Sequence, residues 1–164
     1  MQLHIFGVIC ATTAVVAAGV IAQTSDYEVA QLVHARRALM YELDDRYGVL
    51  LDVSSAKSVD FQGASAAALQ MVDIMTDFVA LLPPGTARGE ALGSRAKPEI
   101  WTEATTFNAS VESFTAEAER LAGLASKGDV EAFSAAFREF QSACISCHEL
   151  RPSLGGRFRF ALDV

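Results

Sequence analysis

Four stretches of the chain repeat apolar residues at alternating steps of three and four positions, the spacing that gives an α-helix one apolar face. They cover residues 25–50, 59–82, 98–126 and 130–151. In the third and most regular stretch the apolar positions are Ile100, Ala104, Phe107, Val111, Phe114, Ala118, Leu121 and Ala125. No segment of the sequence shows the strict alternation of a β-strand. Four amphipathic helices of about 22 residues, each roughly 33 Å long, predict an all-α protein, an antiparallel up-down-up-down four-helix bundle.

The predicted helix ends carry capping and stop residues. Ser25, with a glutamate three residues later, has the pattern of a capping box and predicts the start of the first helix. The Pro-Pro-Gly sequence at residues 83–85 ends the second helix. Gly128 and Asp129 suit the C-cap of the third helix and the N-cap of the fourth. Pro152 ends the fourth, because the residue before a proline is pushed out of the helical conformation.

The N-terminus predicts an exported protein. Residues 6–22 carry no charge, and Val20 and Ala22 match the small-x-small pattern of a signal-peptide cleavage site. The expected division is a signal peptide over residues 1–22 and a bundle domain over residues 23–164, located in the periplasm. The alternative is a membrane anchor, although the apolar run of 17 residues lies at the short edge of what spans a bilayer.

Charge and cysteine usage exclude several classes of protein. The formal net charge is −7, from 13 Lys and Arg against 20 Asp and Glu, which argues against non-specific binding to nucleic acid or to anionic membranes. Cys10 leaves with the signal peptide, and Cys144 and Cys147 are only three positions apart. They cannot form a framework of long-range disulfides, so an exported chain must use this pair in another way.

The pair belongs to the sequence Cys144-Ile145-Ser146-Cys147-His148, the C-x-x-C-H signature of covalent haem attachment. Two thiols one helical turn apart can add to the two vinyl groups on one side of a porphyrin, and the adjacent imidazole can reach the iron. His148 is four residues from Cys144 and shares its helix face. Further apolar residues on this face are Phe133, Phe137 and Phe140. We therefore predict one covalent haem c per chain, held by Cys144 and Cys147 inside the bundle, with His148 as the proximal axial ligand.

Two other uses of the cysteine pair are open. A redox dithiol has the same spacing but usually opens a helix after a strand, where the thiol pKa is depressed, whereas this pair ends a helix. A zinc site needs further ligands, and the mature chain offers only His34 besides His148. Both alternatives are weaker than the haem prediction.

Further segments match a known family. They are Arg36 to Met40, Tyr47-Gly48, Pro84-Gly85-Thr86, Lys97 to Trp101 and Lys127-Gly128-Asp129. With C-x-x-C-H near the C-terminus, they resemble the cytochrome c′ family, including its low-spin, methionine-ligated relatives, over nearly the whole mature chain. Cytochrome c′ is itself a standard example of a four-helix bundle. The resemblance implies an exported bundle around one haem and a homodimer through the first two helices.

The chain departs from the family pattern after the motif. The family usually has an aromatic residue three positions after the histidine and a basic residue at the fourth, where this sequence has Arg151 and Pro152. A tail over residues 153–164, which includes Arg157-Phe158-Arg159-Phe160, runs past the usual end. The resemblance therefore does not fix the proximal environment of His148.

The resemblance assigns roles to residues of the first helix. Arg36 lies on the apolar face and would pair with a haem propionate; the alternative is a side chain that runs along the bundle to solvent. Arg37 would lie at the haem edge. Met40 would face the iron opposite His148, as a distal ligand or as a shield; the alternative is an ordinary core methionine. Trp101 is expected to pack near the haem with its indole N–H satisfied locally.

Two functions fit these features. The first is a periplasmic electron carrier that meets redox partner proteins; the second is a protein with an open iron position that binds NO or CO for sequestration or sensing. Met40 discriminates them, because a bound thioether gives six-coordinate, low-spin iron and an unbound one leaves the iron five-coordinate. The sequence contains no evident nucleophile triad, and His34 lies on a different helix face from Arg36. We therefore expect no enzyme activity, no nucleic-acid partner and no stable membrane insertion after cleavage.

Overall fold

The computed structural model describes residues 14–148 and 155–161, and of residues 14–25 it describes the helical backbone alone. These residues form five α-helices: α1, Ala14–Ser54; α2, Phe61–Ala80; α3, Glu99–Thr102; α4, Ala104–Ala125; and α5, Val130–Cys147. Within the same residues, β-structure is limited to two isolated bridges. The predicted all-α class is confirmed.

The four long helices form a bundle. α1 packs against α2 and α5, and α4 packs against the same two helices. Short connections join α1 to α2 and α4 to α5, which makes each of these pairs antiparallel. The four-helix bundle predicted from the sequence is therefore confirmed.

The bundle core contains the residues that the helical spacing predicts. Phe133 and Phe140 of α5 are fully buried, and Phe137 is nearly so. The ring centroid of Phe140 lies 5.3 Å from that of Phe114 and 6.4 Å from that of Phe137. All four long helices contribute to this cluster, which forms the main core of the bundle.

Two of the long helices begin at aspartate caps. The Asp129 carboxylate accepts a hydrogen bond from the main-chain N–H of Ala132 at 2.9 Å, which confirms the predicted cap of α5. The Asp60 carboxylate accepts one from the N–H of Gly63 at 2.8 Å. Gly128, just before the α5 cap, has φ of 68°, a conformation that glycine adopts without steric cost. These caps fix where α2 and α5 begin, and so which residues of each helix face the core.

The first helix begins earlier than the sequence indicated. α1 continues through Ser25 without a break, so the prediction of an N-cap there is wrong. Residues 14–24 contain no proline, and the N–H groups that would have needed a cap find helical carbonyl partners one turn upstream. The predicted signal peptide lies outside the described residues over positions 1–13, and it stays a prediction. Among the residues that are described, no helix combines the length and the apolar character needed to cross a membrane.

The stretch predicted as one helix from Pro98 is divided. Its backbone breaks at Glu103, with φ of −117° and ψ of 41°, which separates α3 from α4. Next to the break, the indole N–H of Trp101 donates to the carbonyl oxygen of Leu82 at 3.0 Å, and Arg157 forms an ion pair with Glu103 at 2.7 Å. These tertiary bonds compete with a continuous helix, and helical periodicity does not reveal them.

The last helix ends earlier than predicted. α5 stops at Cys147, and the backbone of His148 is extended, with φ of −161° and ψ of 156°. Arg151 and Pro152, where the sequence departs from the family pattern, lie outside the described residues. The early end of α5 directs the chain away from the helix at the residue that the sequence predicts as the iron ligand.

Candidate haem site

A cavity of about 580 Å³ lies between the long helices, towards the C-terminal ends of α2 and α5. Its volume falls in the range of small-molecule and cofactor sites. Its wall is largely apolar, from Val33, Leu43, Met71, Met75, Phe78, Leu82, Ile100, Phe107, Val111, Phe114 and Phe158. The cavity is also lined by Arg36, Arg37, Met40, Cys144, Cys147 and His148. The structure thus brings all six predicted site residues to one cavity.

The two cysteines lie in the last turn of α5 as free, half-buried thiols. Burial raises the pKa of Cys144 to about 12, and the neighbouring Cys147 adds to this shift. Burial also raises the pKa of Cys147, against the opposite effect of hydrogen bonds with Ser146 and Ser110. Both groups are therefore neutral thiols at pH 7. A redox dithiol needs a thiolate with a lowered pKa, so these surroundings disfavour that alternative.

His148 follows Cys147 directly and caps α5. Its main-chain N–H approaches the carbonyl oxygen of Cys144 at 3.4 Å, a distance at which a hydrogen bond is weak. Because its backbone is extended, the side chain leaves the helical path, yet it lines the same cavity as the two thiols. Two thiols and an imidazole that line one cavity are what covalent haem requires, because the thiols can bond to the porphyrin and the imidazole can bind the iron.

Arg36 is buried in the wall of the cavity that α1 provides. Only 6% of the residue is exposed, so the alternative of a side chain that reaches solvent is wrong. Its Nη2 donates to the carbonyl oxygen of Thr86 at 3.4 Å, while Nη1 is buried without a hydrogen-bond partner. Burial lowers the pKa of Arg36. A buried guanidinium with an unpaired N–H group is suited to receive an anion.

The other predicted residues of α1 lie close to Arg36. Arg37 donates through Nη2 to the carbonyl oxygen of Gly93 at 3.2 Å, which ties α1 to the loop between α2 and α3. Met40 is half-buried, lines the cavity and packs against the bundle core. Trp101 is not a cavity-lining residue; it packs against a small cluster around Ile100. Its indole N–H is satisfied by Leu82, as predicted.

The C-terminal tail forms part of the cavity wall, which was not predicted from the sequence. Phe158 and Arg159 of the tail line the cavity, together with Arg95 of the α2–α3 loop. The tail pairs with that loop: the N–H of Lys97 donates to the carbonyl oxygen of Phe158 at 3.0 Å, and the N–H of Phe160 donates to that of Arg95 at 2.9 Å. The sequence does indicate an extended segment here, because basic and aromatic residues alternate over 157–160 and alternation favours an extended segment with two different faces.

The comparison with known proteins agrees with this geometry. The model of the family described as cytochrome c′ matches residues 31–150. The chain belongs to the cytochrome c′ family. As a member of this family, it is a haem protein. Cytochrome c′ of Rubrivivax gelatinosus is 36% identical to it over 66 residues, which are 40% of this chain and 50% of that protein. The chain thus spans about half the length of this curated relative.

Solved structures of cytochromes c′ share the fold. The crystal structure of the Rubrivivax gelatinosus protein has a TM-score of 0.66 at 22% identity, covering 80% of this chain and 96% of that one. Two structures of variants from Alcaligenes xylosoxidans each have a TM-score of 0.65 at 23% identity, covering 79% of this chain and 94% of the other. One is described as carbon monoxide-bound and the other as a nitric oxide complex.

The described residues fit the haem of the family. The cavity wall is apolar where a macrocycle would lie, and the thiols of Cys144 and Cys147 share it with His148. The unpartnered Nη1 of Arg36 provides the cationic donor that a propionate needs. Haem would thus account for three features of the cavity: its apolar lining, its two thiols and the buried N–H group of Arg36 that has no hydrogen-bond partner.

Proposed function

We propose that the protein is a periplasmic electron carrier with one haem c, attached through Cys144 and Cys147 and bound at the iron by His148. This proposal rests on one observation: the thiols of Cys144 and Cys147, the imidazole of His148 and the buried Arg36 all line one cavity. When bound, the haem supplies a one-electron iron couple. The chain therefore needs to hold it, tune it and keep bulk water from it.

The cavity residues divide this work between them. The two thiols tether the porphyrin, and the apolar wall excludes water and lowers the local dielectric. Arg36 holds one propionate, and Arg37, tied to Gly93, stands at the edge where a propionate reaches solvent. In this proposal the protein is a carrier rather than an enzyme. His34 is exposed on α1 while Arg36 is buried, so the two do not form the distal acid–base pair that a peroxidase would use.

A gas-binding protein is the alternative function. The related structures described as carbon monoxide and nitric oxide complexes favour it, because those relatives share the bundle in which this cavity lies. In that case Met40, which lines the cavity, would shield the iron without binding it and would leave a coordination position open to NO or CO. The two functions differ in what Met40 does, and the protein would meet redox partner proteins in the first and NO or CO in the second.

We further propose a homodimer through α1 and α2. Both helices expose large apolar side chains, Tyr41, Val49 and Leu51 on α1 and Leu69 on α2, and exposed apolar patches are typical of interaction surfaces. Sedimentation of the purified protein should give the mass of two chains. A Leu69→Glu variant that stays dimeric would contradict an interface at this position.

The test of the haem proposal is attachment. Protein purified from cells with a haem-attachment system should keep its colour through acid-acetone extraction and carry one added haem mass. Replacing both cysteines, Cys144→Ala with Cys147→Ala, should make the haem extractable, and His148→Ala should change the axial ligation without releasing it. Extraction of haem from the wild-type protein would contradict the proposal.

The test between the two functions is access to the iron. A carrier with a closed coordination sphere should keep its ferrous spectrum when carbon monoxide is added. A rapid shift of the ferrous Soret band on addition of carbon monoxide would favour the gas-binding alternative.

A further inference from the structure

Gly156 of the C-terminal tail lies directly against the backbone of His148. A Cβ atom placed on Gly156 would lie 2.2 Å from the Cα of His148, 2.9 Å from its Cβ and 2.8 Å from the carbonyl oxygen of Cys147. The φ of Gly156 does not lie in the left-handed region that favours glycine. It is the space against His148, and not the backbone conformation, that requires glycine here.

Hydrogen bonds hold the tail in this place from two sides. The N–H of Phe158 donates to the carbonyl oxygen of Cys147 at 3.0 Å, which joins the tail to the last turn of α5. The ammonium group of Lys97 donates to the carbonyl oxygen of Gly156 at 2.6 Å. Within the tail, the N–H of Gly156 donates to the carbonyl oxygen of Arg159 at 2.8 Å, which closes a turn.

A buried ring anchors the tail. Phe158 is 3% exposed, and its ring meets that of Phe107 edge to face, with centroids 5.2 Å apart. Together with Ile100, these rings form a small cluster beside the main core. The tail is thus fixed by packing as well as by hydrogen bonds.

We propose that residues 155–161 act as a clasp that sets the orientation of His148, with Gly156 as the positioning residue. The proposal rests on the proposed function, because it takes His148 as the axial ligand of the haem iron. His148 has left α5, and its bond to Cys144 is long, so the end of the helix holds it weakly. The contact with Gly156 and the bond between Phe158 and Cys147 constrain the backbone at His148 from the side of the tail. The groups that orient an axial ligand tune the metal it binds.

The direct test places a methyl group at the contact. Gly156→Ala should displace His148, and we expect the g values of the ferric protein in electron paramagnetic resonance and its reduction potential to shift from wild type. Gly123→Ala is the matched control, because a Cβ there meets nothing within 4 Å, and it should reproduce the wild-type values. Unchanged g values and potential in Gly156→Ala would overturn the proposal.

A second variant covers the case in which Gly156→Ala does not accumulate. Phe158→Ala removes the anchor of the clasp without adding atoms beside His148, and it should broaden the distribution of g values while the helical circular dichroism of the bundle is retained. Wild-type g values in this variant would overturn the proposal, and so would loss of the bundle, since the tail would then be part of the folding core. Covalent haem is measured on every sample. Absence of covalent haem from the wild-type protein contradicts the proposed function. Normal covalent haem, together with variants whose g values and reduction potential match wild type, contradicts the clasp alone.

Discussion

Arg95 and Arg159 face the same cavity from two segments that are far apart in sequence. Burial and the neighbouring charge of Arg95 both lower the pKa of Arg159. Arg36 and Arg37 line the cavity as well, and among its described lining residues Asp44 is the one carboxylate. Four cations against one anion make this region positive in a protein whose net charge is −7. Arg36 is buried, whereas Arg37, Arg95 and Arg159 are partly exposed, so these three arginines set the charge that an approaching molecule meets at the cavity.

This local charge predicts an unusual salt dependence. Oxidation of the ferrous protein by ferricyanide, an anion, should slow as ionic strength rises, because screening weakens the attraction at the opening. The net charge of −7 by itself would repel ferricyanide, and so predicts a rate that rises with ionic strength. Stopped-flow rates at several salt concentrations measure the effect. Arg88→Gln, at an exposed position in the loop beside Arg37 and Arg95, should flatten the dependence, whereas Arg138→Gln, on the exposed face of α5, should not.

A ferricyanide rate that rises with salt would show that the net charge governs the encounter. Reduction of the ferric protein by hexaammineruthenium(II), a cation, is the comparison reaction, and its rate should rise as salt screens the repulsion from the arginines. A physiological redox partner selected by this surface would present acidic residues.

Arg36 should influence the reduction potential. A buried cation next to the haem favours the ferrous state, and it offsets the negative charge of a propionate. We expect Arg36→Leu to lower the potential by on the order of 50 mV, since a tenfold change in a one-electron equilibrium is about 59 mV. Redox titration measures it. Arg36→Lys keeps the charge but loses the planar donor geometry, and its shift should be smaller. Equal potentials in all three proteins would argue that Arg36 has no anionic partner.

The core of α5 gives a prediction about stability. Phe140 is fully buried and contacts the rings of Phe114 and Phe137. Phe140→Ala should lower the free energy of unfolding by about 3–5 kcal/mol, the usual cost of a cavity of this size. Val130→Ala, at a position that is 42% exposed, is the control and should cost less than about 1 kcal/mol. Urea titration of both variants measures the change in the free energy of unfolding. An equal decrease in the two variants would mean that the aromatic cluster is not the core.

The sequence predicted the part of this fold that depends on local periodicity. The spacing along α5 placed Phe133 and Phe140 in the core and Cys144 on the cavity wall, because one helical period fixes all three. The break at Glu103 and the course of the tail depend instead on contacts between segments far apart in sequence. Phe158 reaches the cavity because the tail pairs with residues 95–97 and with Cys147 at the end of α5. No pattern within the tail specifies that partner, so these features required the structure.

Export predicts a defined mature N-terminus. Cleavage after Ala22 leaves Gln23 as the first residue, and N-terminal sequencing of protein from the periplasmic fraction should find it. Ala22→Leu removes the small residue that the peptidase needs and should leave uncleaved precursor. Protein recovered from the membrane fraction with Met1 intact would support the alternative of an anchored cytochrome.

Met40 decides between the two functions. It lines the cavity from α1, one helical turn from Arg36, and it is half-buried against the core. Electron transfer favours a coordination sphere that changes little with redox state, so a carrier should have the thioether on the iron. A thioether that shares the iron with a histidine gives a low-spin centre and raises the potential. The ferric protein should then show the weak long-wavelength absorption band of sulfur-ligated haem, and Met40→Ala should abolish it and open the iron to carbon monoxide. Met71→Ala, another methionine of the cavity wall, is the matched control and should keep the band. A high-spin ferric spectrum in the wild-type protein, with rapid binding of carbon monoxide, would instead make Met40 a shield and favour gas binding, because an exchangeable ligand needs a coordination position that the protein leaves open.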